Sequence, residues 1–402
     1  MKALVPAFCL CSLLVGMSQA QESLGVRLIG SWNSPGHADD VVIGGNFAYI
    51  AAESAGLRII SIADPANPTE VGHCATPSSA YGVALSGTHA YVADFDSGLR
   101  VISVADSANP TEVGHYDTPG FAYGVAVSGN YAYVADYAGL RVISIADPAN
   151  PAEVGHCDSA AAAYDVAVMG NYAYVADDGN GLCIMSIADP ANPVKVGRYV
   201  GTGGAHAVTV VGNYAYLAAV NSGLRIISIA DPANPTEVGF RDSLGGAIGV
   251  AVTGDHAYVT SWLSAFVSGL RVVSVADPAH PAEVGYYTIS NASSVDLSGG
   301  YAYVAHWPGL KIFQFYGAGV EEVPSTEVRT PNSMSTIVRG VLLLPPSLLT
   351  PNCSLLSIDG RKVADLHPGA NDVRGLTPGV YFVRAVSRQP SAVSCRKVVV
   401  SR

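Results

Sequence analysis

The chain has 402 residues, 49% hydrophobic and 13% charged, a balance that excludes an intrinsically disordered protein. Lys and Arg number 21 against 32 Asp and Glu, a formal net charge of −11. That argues against a nucleic-acid partner, because neutralising phosphates takes a basic surface. Past the N-terminus no run of about 20 apolar residues occurs, so no membrane-spanning helix is expected.

The first segment reads as a signal peptide over residues 1–20. Met1-Lys2 is a short positive start, Leu4 to Met17 is apolar, and Ser18-Gln19-Ala20 ends in a small residue suited to cleavage before Gln21. Export places the mature chain outside the cell or on its outer surface. Cys74, Cys157, Cys183, Cys353 and Cys395 remain after cleavage. A sparse, odd set is not a disulfide framework.

Residues 21–316 carry one motif written seven times. A tyrosine-led apolar run recurs at Tyr49, Tyr91, Tyr133, Tyr174, Tyr216, Tyr258 and Tyr303. A repeat of about 42 residues is the length of a four-stranded propeller blade. The third copy shows the parse. Val125–Ser128 is strand A, Gly129-Asn130 a two-residue hairpin turn, Tyr131–Ala135 strand B and Leu140–Ala146 strand C. Strand C is nearly all apolar, as a strand packed on both faces must be. Asp147-Pro148-Ala149-Asn150-Pro151 is a turn, in which Asp bonds local backbone and Pro fixes φ, and Glu153–Cys157 is strand D. Strands A, B and C occur seven times, but the Glu-Val-Gly signature of strand D, Lys-Val-Gly in the copy at Val196, follows a turn only six times. The missing strand D stands at the other end of the chain, as Val26-Arg27-Leu28-Ile29-Gly30. A segment over Leu24 to Trp32 is therefore expected beside Leu310–Phe315, closing the ring and removing both open edges. The expected fold is all-β: a seven-bladed β-propeller followed by a small C-terminal β-sandwich.

The repeats GLRIISIADPANPTEVG (56–72) and YGVAVSGNYAYVAD (123–136) resemble those of LVIVD-repeat proteins, which are exported or surface β-propellers of bacteria. The resemblance implies the seven-bladed fold and no activity, because a fold does not carry a function.

Residues 317–340 are rich in Gly, Ser, Thr, Pro and Glu and read as a linker. Residues 341–402 shift to a basic balance, with eight Lys or Arg against three Asp. Short apolar runs around the Asp359-Gly360 turn suggest a small sandwich, marginal at this size unless Cys353 and Cys395 staple it. Asp359-Gly360-Arg361-Lys362-Val363, Leu376-Thr377-Pro378-Gly379-Val380-Tyr381 and Lys397-Val398-Val399-Val400 resemble the C-terminal sorting domain of the type IX secretion system. The resemblance implies that secretion machinery as a partner. A generic immunoglobulin-like module is the alternative.

Catalytic motifs are absent: no GxSxG, HExxH, P-loop or paired CxxC occurs. The informative rim is the one formed by the D–A and B–C loops. Glu53, Asp94, Asp136 and Asp177 open the B–C loops of blades one to four. They are read either as an acidic rim able to hold a cation or as partners of Arg58, Arg100 and Arg141. No cofactor is expected beyond a structural calcium held by such oxygens. Trp32, Trp262, Phe266 and Trp307 gather on blades six, seven and one. They are read either as a platform for a glycan or peptide or as packing at the ring seam. The expectation is a non-catalytic binding or adhesion module with an extracellular glycan or protein ligand. The alternative is a glycan lyase or hydrolase using rim carboxylates as acid and base.

Overall fold

The structure is a computed structural model, which describes residues 23–201, 203–261 and 269–317 and the backbone of seven strands between 336 and 400. Residues 1–20, expected as a signal peptide, and most of residues 317–340, expected as a linker, lie outside the described residues. Two compact units divide the chain at residues 320 and 321.

The first unit is a seven-bladed β-propeller. Blades one to six span residues 40–74, 82–116, 124–157, 163–199, 205–241 and 247–288, each with strands A to D in antiparallel order. Blade seven takes three strands from residues 292–315 and its outer strand from Val26–Asn33. Each strand A touches strand A of both neighbouring blades, so the seven form the innermost ring. Seven apolar clusters fill the seams between blades, one at each. The strand-B motif explains them: in Ala132-Tyr133-Val134-Ala135 every side chain is buried, between two neighbouring sheets.

The glycine of Glu-Val-Gly, or of Lys195-Val196-Gly197 in blade four, leaves room for a neighbouring turn. A Cβ on Gly72 would meet Ser107 O at 2.2 Å, on Gly114 Pro148 O at 2.3 Å and on Gly197 Pro232 O at 2.0 Å. In each case the obstacle is the Asp-Pro-Ala-Asn-Pro turn of the following blade, or its Asp-Ser-Ala-Asn-Pro copy at 106–110. Those turns are self-closed: Asp147 Oδ1 accepts the Ala149 N–H and Oδ2 the Asn150 amide. The residue before each glycine, such as Val113, sits in a bulge that turns the outer strand.

Ring closure has one feature beyond the expected pairing. Val26 lies opposite Phe315 and Trp32 opposite Leu310, which closes blade seven. Ser23–Leu24, however, pairs with the outer strand of blade six, at Tyr287 and Tyr286. The chain passes between the two blades at Gly25, whose φ of +64° suits glycine. Blade seven has no Asp-Pro turn, and its seat beside Gly285 is taken by Leu24 O at 2.9 Å and the Phe315 ring. The N-terminal segment thus closes one blade and replaces a missing turn against another.

The second unit has a five-stranded sheet that includes Asn352–Ser357, Gly379–Val386 and Val393–Val400, and a separate pair formed by Val341–Leu344 and Gly369–Asp372. Among the described residues no helix is long and apolar enough to cross a membrane.

Candidate functional site

A buried alanine opens strand A or stands two residues before it in all seven blades: Ala38, Ala80, Ala122, Ala163, Ala205, Ala247 and Ala292. The next residue lines the mouth of the central channel, and there the blades differ. In order they carry Asp39, Tyr81, Tyr123, Tyr164, His206, Ile248 and Ser293.

Deeper in the channel, carboxylates staple the blades. Asp40 accepts the Val83 N–H of blade two at 2.9 Å and the Ser294 hydroxyl of blade seven at 2.7 Å. Asp165 accepts the Val208 N–H of blade five at 2.9 Å, and Asp296 the Ile43 N–H of blade one at 2.7 Å. Each satisfies an inner-strand amide that has no further strand beside it. Burial pushes the Asp40 carboxyl up to about 7, against these hydrogen bonds and with help from Asp165. Burial likewise raises Asp165 and Asp296.

At the mouth, aromatic rings run without a break from blade two to blade five. Tyr81 and Tyr123 lie 5.4 Å apart between ring centroids, Tyr123 stacks on Tyr164 at 4.6 Å, and Tyr164 meets His206 at 4.9 Å. A second row lies alongside: Phe95 stacks on Phe121 at 4.4 Å, and Tyr137 lies 6.2 Å from both Tyr123 and Tyr164. Phe121 and Tyr137 are 44% and 42% exposed, so the surface is open to solvent. Phe95 and Tyr137 hold the left-handed backbone, at φ 45° and 64°. That conformation costs about 1 kcal/mol in a non-glycine residue. A two-way backbone bridge to Ala122 and Ala163 of the following blade holds each one there.

The acidic residues named from sequence take different places. Asp94, Asp136 and Asp177 are fully buried and face inward. Each accepts an amide of its own D–A loop, from Ser78, Gly120 and Ala161. Each also meets a guanidinium: Arg100 at 3.8 Å, Arg141 at 2.6 Å and Arg198 at 3.4 Å. In blade four Cys183 holds the usual arginine position, and the cation comes from strand D instead. Glu53 does not belong to that column. Ala52 does, and Glu53 shares the left-handed bridged position of Phe95 and Tyr137. Arg58 therefore turns to Glu70, at 3.0 Å. Arg225 and Arg271 also find acids on strand D, Glu237 at 3.6 Å and Glu283 at 3.0 Å.

Of the four aromatic residues, Trp32 is half-buried against the seam between blades seven and one. Trp307 is 55% exposed, beside buried His306. Burial takes the His306 imidazole down to about 4, so it is neutral at physiological pH. Trp262 and Phe266 lie outside the described residues. The mouth row of Tyr81, Tyr123 and Tyr164 escaped the sequence reading. Its signal was the recurrence of Tyr at one strand-A position in three consecutive repeats.

Among the described residues, His37, Asp39 and Glu53 form the one group whose donor atoms could surround a metal ion, all within 4.8 Å of one another. His37 Nδ1 lies 3.0 Å from Asp39 Oδ1 and 3.8 Å from Glu53 Oε1. The hydrogen bond with Asp39 raises the His37 pKa, and burial raises that of Asp39. The group sits on blade one, next to Tyr81.

The fold places the chain among propellers of the WD40 shape. The β-propeller domain of Myceliophteria thermophila Cps50 (Swd1) is 11% identical with a TM-score of 0.59, over 72% of this chain and 99% of that one. The RRP9 WD40 repeats are 12% identical with a TM-score of 0.58, over 72% and 97%. A computationally designed protein, Ika8, is 9% identical with a TM-score of 0.54, over 71% and 99%. At such identities the likeness is one of fold. The sequence itself is more specific: the LVIVD repeat matches at residues 35–76, 77–118, 119–159, 160–200, 202–242, 244–289 and 290–313, and the chain belongs to that family. No curated protein has a sequence that matches it.

Proposed function

We propose that this protein is an exported, non-catalytic binding propeller that takes an extracellular peptide or glycan on the face formed by its D–A and B–C loops. The observation that carries the reading is the unbroken aromatic surface from Tyr81 to His206, with Phe121 and Tyr137 open to solvent. Exposed apolar area of this kind is a liability unless a ligand covers it. Trp307 extends the same face on blade seven, and Trp262 and Phe266 belong to the neighbouring loop in sequence. Asp94, Asp136 and Asp177 are committed to arginines and loop amides, which leaves them poorly placed as an acid–base pair.

Glycan and peptide arrays with the mature chain test this reading. Phe121→Ala with Tyr137→Ala should abolish binding to any array ligand while leaving the melting temperature nearly unchanged. Array binding that survives this pair and Trp307→Ala together would remove the face from the function. Delivery is proposed to rest on residues 341–402 as a type IX sorting domain. A chain ending at Gly340 should then stay in the periplasm of its native host. Its appearance at the surface or in the medium would refute the sorting role.

A further inference from the structure

The channel inside the ring of strands A is a cavity of about 580 Å³. Its charge is one-sided. Asp39, Asp40, Asp165 and Asp296 line it, and among the described residues neither Lys nor Arg does. Two histidines complete the titratable lining beside the tyrosines. His206 is held down by burial and is neutral at physiological pH. His37 is tied to Asp39 Oδ1. The carboxylates keep capacity to accept. Asp39 Oδ2 is buried without a hydrogen-bond partner. Asp165 and Asp296 each accept one backbone N–H per oxygen, from Val166 and Val208 and from Leu297 and Ile43. A carboxylate oxygen can accept two. Beside them stand the three tyrosine rings of blades two to four, whose faces attract a cation.

We propose that the channel mouth receives the side-chain cation of an arginine or lysine on an extracellular peptide. The proposal rests on the D–A and B–C face being the ligand face, and it names the chemistry that face selects. An organic cation fits better than a bare ion on three counts. The cavity is much larger than one ion. A hard cation gains little from tyrosine faces and asks for six to eight oxygens. The carboxylates are already fixed by backbone amides, a preorganised ring for a donor with several N–H groups. A peptide fits better than a free polyamine because Phe121 and Tyr137 lie beside the mouth, where residues flanking the basic side chain would rest. Burial raises the Asp40 carboxyl to about 7 and raises Asp165 and Asp296 as well, so a cation seated beside them would favour their charged forms.

The test is binding of the mature chain to a capped Gly-Gly-Arg-Gly-Gly peptide, read by titration calorimetry. The citrulline peptide, of the same shape without charge, is the comparison, with the lysine peptide, spermidine and calcium alone as further arms. The arginine or lysine peptide should bind about tenfold or more tightly than the citrulline one. Asp165→Asn should weaken binding about fivefold or more. Because that residue also staples blades four and five, Tyr123→Leu is the second variant, and it should weaken binding by a similar factor with the melting temperature retained. Equal binding of the citrulline peptide, or failure of both basic peptides while an array ligand still depends on Phe121 and Tyr137, overturns the cation proposal and leaves the binding face standing. Spermidine or calcium binding with no peptide binding also overturns it. No array ligand dependent on those two residues, together with no basic peptide bound, overturns both readings.

Discussion

Gly114→Ala tests the packing rule on which the ring is built. A Cβ there would stand 2.3 Å from Pro148 O and 3.0 Å from Ala149 C and O, all backbone of the next blade's turn. Ordinary contact begins near 3.4 Å, so the turn must retreat by about 1 Å. That turn is held rigid by Asp147 bonding Ala149 and Asn150, so little of the clash can relax. Overpacking of this kind costs about 1–3 kcal/mol, and a backbone obstacle puts the substitution near the upper end. For a domain of this size each kcal/mol lowers the melting temperature by about 2–4 °C, so a fall of roughly 5–10 °C is expected. Gly129→Ala is the control. Gly129 has φ +59° and nothing within 4 Å of its would-be Cβ, so it loses only conformational ease, about 1 kcal/mol. Gly285→Ala should fall between the two, because its neighbours stand at 2.9 Å and one is the Phe315 ring. Thermal denaturation followed by circular dichroism measures all three. A Gly114→Ala protein that melts no lower than Gly129→Ala would show that the turn does not seat on that glycine.

Three further outcomes follow from the structure. Removing residues 21–32 exposes the edge of Gly309–Phe315 and the seat beside Gly285, so the protein should melt lower or aggregate, as light scattering would show; unchanged melting would refute the closure. Asp136→Ala leaves the Arg141 guanidinium buried, with Asp158 at 2.9 Å as its remaining acid, and should cost about 2–4 kcal/mol in urea denaturation, whereas a loss below that of an exposed substitution would place the pair outside the core. Folding holds the Asp40 proton more tightly than the unfolded chain does, so its contribution is fully present below the ordinary carboxylate range and is lost as pH rises toward about 7. Stability should therefore decline across that window, and Asp40→Asn should flatten the decline; an identical pH profile in the variant would show that Asp40 titrates normally.

The blade count and the closing strand were legible because each rests on local pattern: tyrosine spacing, hairpin turns and an unmatched outer strand. What escaped depends on contacts between blades. Glu53 and Asp94 look equivalent as acids opening a loop, yet backbone geometry separates them. One is bridged in a left-handed conformation to Ala80, and the other turns inward to Ser78 and Arg100. Arg198 serves Asp177 from strand D, which spacing within the B–C hairpin could not reveal. Tyr81, Tyr123 and Tyr164 were hidden by abundance, in a sequence with 21 tyrosines. Most of the repeated strand-B tyrosines are buried in the seams, and nothing local separates those from the ones that line the mouth.

A repeat protein separates structure from function position by position. Where the copies agree, the fold supplies the reason: the glycine under each turn, the alanine at the approach to each strand A and the Asp that closes each Asp-Pro turn meet the same neighbours in blade after blade. The residue after that alanine has a similar place in the inner ring of all seven blades, yet its side chain runs through acid, phenol, imidazole, alkyl and hydroxyl. Packing would select one solution seven times, as it did one residue earlier. A position whose side chain is released from the packing rule is where the proposed binding role would be written. The variation is also ordered around the ring, with a carboxylate on blade one and aromatic rings on blades two to five. A ligand that lies across the mouth in one orientation would impose that order, since each blade then meets a different part of it.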